Sequence, residues 1–169
     1  MKLNTDNIKN PRLKSFYQSY LKDRKIIHDF YELLSEDKYD YRMVDTSERK
    51  SDSPRETLAH ILEVQLMYLN GIKTGTLEFK DMDVNHYWNM SKQELLDEMN
   101  TVDQKMLEYV NSNDFNPDSM VRAPWGDAPA MSILNAFRDH EILHQGWNLA
   151  LMDHLNMPRY KSLKDTWGE

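Results

Sequence analysis

The chain has 169 residues, a formal charge of −7 and no cysteine. That length fits a single domain over residues 1–169 with a sizeable core, and the acidic balance without a clustered basic face argues against nucleic acid as the main partner. The lack of cysteine excludes disulfides, thiolate ligands and a thiol nucleophile of the chain's own, and with no signal-like opening or membrane-length apolar run we expect a cytoplasmic protein with no membrane partner.

Only five glycines and six prolines punctuate the sequence, so helical periodicity runs nearly uninterrupted. Asn10-Pro11 opens a first helix to about Ser35, with Leu13, Phe16, Tyr20, Ile27, Phe30 and Leu34 on one face. Within it, Lys22-Asp23-Arg24-Lys25 reads as solvated helix surface. A polar connector with Tyr39, Tyr41 and Arg42 follows. Ser53-Pro54-Arg55-Glu56 is a capping box with proline at the first helical position, opening a second helix that stops near Gly71–Gly75. It turns Leu58, Ile61, Leu62, Leu69 and Ile72 inward.

Ser91-Lys92-Gln93-Glu94 is a second capping box, and the helix after it aligns Leu95, Met99, Val102, Met106 and Val110. Met120-Val121-Arg122-Ala123-Pro124-Trp125-Gly126 holds a short extended piece. Asp127, ahead of Pro129, is expected to cap a fourth helix that runs to about Asn156. Four amphipathic helices predict an all-α four-helix bundle. The links 73–90 and 112–128 are long, which predicts crossover connections. Tyr160, Leu163 and Trp167 in the tail are placed to pack on the bundle or on a partner chain.

Chemistry concentrates in the fourth helix. At about 100° per residue, Ile133, Phe137, Trp147, Leu151 and Leu155 share a face, and His140 and His144 fall within that stripe. Two imidazoles at i and i+4 stand one turn apart and aim at one point, as a divalent metal needs. A third ligand must be His, Asp or Glu. His154 lies about 15 Å farther along the axis, out of reach. His86 sits in a connector beside Tyr87 and Trp88, and His28 at the flank of the first helix. His60, on the edge of the second helix's apolar stripe with Val64 and Met67, is the best placed; a rim histidine bonded to a carbonyl is the alternative.

The run His140-Glu141-Ile142-Leu143-His144 also spells the H-E-x-x-H of zinc proteases, in which the glutamate is general base. The remainder of that signature is missing. Trp147 stands where the metzincin glycine would be, and the only later glutamate is Glu169. Glu141 points away from the histidines and reads as a flank charge.

A histidine early in the second helix with H-x-x-x-H in the fourth resembles the DinB-like family of DNA-damage-inducible four-helix metalloproteins. The resemblance covers essentially the whole chain. It rests on Arg55-Glu56-Thr57-Leu58-Ala59-His60-Ile61 and on His140-Glu141-Ile142-Leu143-His144-Gln145-Gly146. It implies a divalent metal, zinc or nickel, held by His60, His140 and His144 with open coordination sites, and a homodimer. Some members resemble bacillithiol S-transferases or mycothiol-dependent isomerases, so the resemblance implies a small thiol cofactor and a small-molecule substrate. Candidates for the pocket wall are Trp125, Trp147, Tyr68 and Gln145, with Arg122 as a partner for a cofactor carboxylate; each is also explicable as core or exposed loop. The catalytic residues stay unassigned. A metal-dependent transferase of a small thiol leads, against a non-catalytic metal-stapled stress-response bundle, a hydrolase using bound water, or histidines with no metal.

Overall fold

The computed structural model describes residues 5–80 and 85–168. The Asn10 side chain accepts hydrogen bonds from the amides of Arg12 and Leu13 and so starts α1 (Pro11–Leu33). A short turn at Glu36–Lys38 and an irregular link lead to α2 (Pro54–Thr74). The one-turn α3 (Asn85–Trp88) precedes α4 (Lys92–Asn111). Both predicted capping boxes are formed in full: the Ser53 and Ser91 hydroxyls accept from the Glu56 and Glu94 amides, and each glutamate accepts from its serine's amide. Gly75, at φ +77°, ends α2 in the left-handed conformation, its N–H donating to Gly71 O.

A small hairpin, β1 (Met120–Val121) on β2 (Ala128–Pro129), realises the extended piece expected there. It leads into α5 (Ala130–His154). Asp127 does not cap this helix: Pro129 is its N-cap and no side chain serves. The reason is the hairpin itself. The first amides of α5, at Ala130 and Met131, donate to Ser119 O and Pro117 O, so the loop backbone satisfies the donors a cap would have met. A last helix, α6 (Lys161–Trp167), lies on α1 of the same chain, with Leu163 buried and Tyr160 OH donating to Ile26 O at 2.8 Å.

The four long helices close a ring in which α1 touches α5, α5 touches α2, α2 touches α4 and α4 touches α1. Side-chain pairs give their directions. Tyr20 against Phe137 and Arg24 against Glu141 make α1 and α5 parallel. Gln65 to Asp103 and Tyr109 to Ile72 do the same for α2 and α4. His60 against His140, with Tyr68 against Phe137, sets α2 antiparallel to α5. The parallel α2–α4 pair requires the intervening link to return the chain along the bundle, the crossover that its length suggested. The link into α5 instead crosses the ring diagonally at one end.

The core is apolar around Phe30, Leu58, Leu62, Met99, Met106 and Phe137, all fully buried. No helix among the described residues is long and apolar enough to cross a membrane.

Candidate metal centre

His60 stands on the second turn of α2, and His140 and His144 stand one turn apart midway along α5. The antiparallel packing of these helices brings the three rings together. His60 Nε2 lies 3.3 Å from His140 Nε2, and His144 Nε2 lies 3.0 Å from the same atom. One nitrogen from each residue falls within 4.8 Å of the others. Three ligands at the ordinary ~2.0–2.1 Å metal–nitrogen distance are separated by about 2.9 Å at right angles and about 3.3 Å at the tetrahedral angle. The His60–His140 and His140–His144 spacings fall within that interval.

The donor chemistry fits too. A neutral imidazole nitrogen with a free lone pair accepts one hydrogen, so His140 Nε2 cannot be satisfied by two neighbouring imidazoles at once. A cation can take all three lone pairs. Burial, joined by the charge of neighbouring imidazoles, pushes His140 down to about 4 and His144 to about 3, so both are neutral at physiological pH, the state in which an imidazole can accept a metal. His60 is exposed while the α5 pair is half-buried, so the point of convergence is open to solvent on the α2 side. Among the described residues no fourth His, Asp or Glu joins the cluster.

The histidines, expected within the apolar stripe, sit half-buried at its edge. The inward face of α5 runs through Leu134, Phe137, Glu141, Gln145, Asn148 and Met152, all buried. Glu141 is therefore no flank charge. Its carboxylate lies 3.0 Å from the Arg24 guanidinium, with both side chains buried. This pairing turns it inward, away from the histidines, and removes the protease reading. Asp23 and Arg24 are likewise buried rather than solvated; only Lys22 and Lys25 of that run face water. Asp23 pairs with Arg138 at 2.6 Å.

A signal for this interior was present. Tyr20, Arg24 and Ile27, and Met99, Asp103 and Met106, each follow core-stripe spacing, so the charged member of each set falls on the buried face.

The other candidate residues divide. Trp147 is partly buried, one turn beyond His144 on the same side of α5. Tyr68, two turns beyond His60 on α2, is nearly buried, its ring edge-on to Phe79 at 5.7 Å and tilted against Phe137 at 5.5 Å. Trp125 is 55 % exposed and meets Phe79 at 6.1 Å. These rings form a line from Phe137, one turn before His140, out to solvent. Gln145 is not on the pocket wall: it is buried, donates to Asp23 O and accepts from Trp167 Nε1 at 3.1 Å. Arg122 is exposed beside the hairpin, its backbone bridging to the end of α2. His154 is bonded to Tyr41 OH at 2.7 Å. His28 is half-buried on α1, and burial with nearby Arg24 pushes it down to about 4. His86 lies in α3, its side chain outside the described residues.

No curated protein matches the chain in sequence. Among solved structures, it is similar to a DinB-like protein of Bacillus subtilis, YjoA, with a TM-score of 0.57 and 19 % identity over 87 % of this chain and 96 % of that one. At that identity the likeness is one of fold. The profile of the DinB superfamily matches residues 20–147, a span that contains all three histidines. The chain belongs to the DinB superfamily and has its all-α fold.

Proposed function

We propose that this protein is a metal-dependent transferase that joins a small thiol of the bacillithiol type to an electrophile. The observation that carries the reading is the convergence of His60, His140 and His144 on one solvent-facing point. A structural site would be closed by a fourth protein ligand, and none is present among the described residues. Zinc or nickel suits three imidazoles. When bound, such a cation supplies positive charge that favours the deprotonated form of a thiol at neutral pH.

The chain's own residues have defined parts. The three imidazoles, two of them held neutral by burial, hold the ion. Trp147, on the histidine side of α5, and the Tyr68–Phe79–Trp125 line bound the approach and supply apolar surface for the electrophile. The sulfur must come from a free thiol, because the chain has no cysteine. In the transfer the sulfur–carbon bond forms, the carbon–leaving-group bond breaks with its electron pair, and the thiol proton goes to solvent. A homodimer in the cytoplasm belongs to the same reading.

The test is elemental analysis of untagged protein followed by thiol-consumption assays with zinc- and nickel-loaded samples and a chlorinated aromatic electrophile. Stoichiometric metal and metal-dependent thioether formation are expected. Metal without turnover would leave a metal-stapled bundle, and no metal uptake would sink the reading.

A further inference from the structure

The interior behind the histidines is polar and specifically bonded. Arg24 Nε lies 3.2 Å from Asp103 Oδ2, and its Nη1 lies 3.0 Å from Glu141 Oε2 and 2.8 Å from Met99 Sδ. Its Nη2 donates to the Tyr20 hydroxyl, which in turn donates to Asp103 Oδ1; Gln65 Nε2 donates to the same oxygen at 2.5 Å. Arg24, Gln65, Asp103 and Glu141 are all buried. One guanidinium thus gathers groups from α1, α4 and α5, and Gln65 joins α2 to it through Asp103 and Tyr20.

Its placement relative to the histidines is what matters. Glu141 follows His140 directly, so α5 presents the ion pair on its inner face in the same turn that carries the imidazole outward. Gln65 is five residues beyond His60, about 7.5 Å along α2. The helices that must bring their imidazoles together are therefore linked within two turns of the meeting point through Asp103 of α4 and Arg24 of α1.

Apolar contacts hold helices together yet tolerate sliding, and a slip of one residue moves a side chain by about 1.5 Å. Metal ligands tolerate only about 0.2 Å of error in their distances to the ion. A buried ion cluster contributes little net stability over an apolar replacement but resists displacement, because any shift leaves charge unpaired. We propose that the Arg24–Asp103–Glu141–Gln65 cluster is the positioning element of the three-histidine site, fixing the register and rotation of α2 against α5. The inference rests on the metal reading above. It makes these positioning residues, since none reaches the point of convergence.

The experiment titrates Co²⁺ alone into the full chain and reads its visible absorption, which reports coordination geometry, alongside thermal melts. An apolar triple replacement, Arg24→Met with Asp103→Leu and Glu141→Leu, is compared with Gln65→Leu, which removes only the α2 tie. Val110→Ala, two turns farther along α4, is the control for plain destabilisation. Both cluster variants are expected to stay folded while cobalt affinity falls about tenfold or more, as loss of supporting shell residues typically causes. Their cobalt spectra should change, and the control should melt lower with the wild-type spectrum and affinity. If the triple variant does not fold, Gln65→Leu decides. Wild-type affinity and spectrum in Gln65→Leu, or an equal loss in the control, overturns the proposal while leaving the metal reading intact. Wild type that binds no cobalt overturns both.

Discussion

His60 Nε2 and His140 Nε2 lie 3.3 Å apart although 80 residues separate them in the chain. Only the packing of α2 against α5 creates that contact, so the site depends on tertiary structure rather than on either motif alone. His60→Ala should therefore abolish metal uptake as fully as His144→Ala, despite leaving the H-x-x-x-H pair intact. At free metal of 100 times Kd, binding contributes about 2.7 kcal/mol. For a chain of this size that raises Tm by roughly 5–10 °C. Differential scanning calorimetry with and without zinc checks it: the rise is expected in wild type and absent in each histidine variant, and a rise retained in His60→Ala would refute the triad.

Protonation acts on the same atoms. The folded-state values of His140 and His144, about 4 and about 3, lie below the ordinary histidine value because burial and neighbouring imidazoles disfavour the charged form. The unfolded chain then binds more protons below about pH 6.5. The stability these residues contribute is present above that pH and is lost as pH falls through 4 and then 3. Bound metal competes with the same protons and should leave over the acid range. Urea unfolding of the metal-free protein from pH 7 to pH 4 should show falling stability in wild type and a shallower fall in the His140→Ala/His144→Ala double variant; equal slopes would contradict the assignment.

A steric prediction concerns the end of α2. A Cβ on Gly71 would come 2.9 Å from both Cα and Cβ of Leu77. Leu77 is buried, and its N–H donates to Arg122 O at 2.7 Å, so the obstructing backbone is pinned. Alanine in a helix interior normally gains up to about 1 kcal/mol over glycine, whereas overpacking costs about 1–3 kcal/mol. Gly71→Ala should therefore destabilise the protein by about 1–2 kcal/mol, read from the denaturant midpoint. A stabilised variant would show that the α2 terminus shifts to admit the methyl group.

The elements that local chemistry specifies were legible in the sequence. Capping boxes at Ser53 and Ser91 and the proline at 54 fix helix starts through contacts within four residues, and both were readable. His140 and His144 declare themselves by spacing, and His60 by its place on a second helix. What local pattern could not supply was the partner each side chain meets. Asp127 was displaced as a cap by carbonyls of a hairpin that exists only in the fold. Arg24 and Asp103 follow core-stripe spacing, but spacing names no partner; Arg24 and Glu141 are buried because each meets the other, together with Asp103 from a third helix. Gln145 follows the same logic, its inward orientation depending on Asp23 and on Trp167 of the tail.

The buried pair leads to a last prediction, of opposite sign to that of the histidines. Arg24 carries one positive charge and faces two carboxylates. Asp103 accepts from Tyr20, Gln65 and Arg24, whereas Glu141 has, among the described residues, no hydrogen-bond donor beyond its 3.0 Å approach to Arg24. Burial therefore pushes Glu141 up to about 7, against the lowering effect of Arg24, with Asp103 and Asp23 adding to the rise. A carboxyl raised in the folded state contributes stability that is fully present below its unfolded value, near 4.5, and is lost as pH rises through 7. The loss is on the order of 3 kcal/mol. Glu141→Gln keeps the shape of the protonated acid and leaves Arg24 matched by Asp103 alone. Its stability relative to wild type should thus be near neutral at pH 5 and favourable by up to that amount at pH 8. Comparing the two proteins at each pH cancels the histidine contribution, which they share. An equal penalty at both pH values would show instead that Glu141 is ionised throughout and that Arg24 needs both charges.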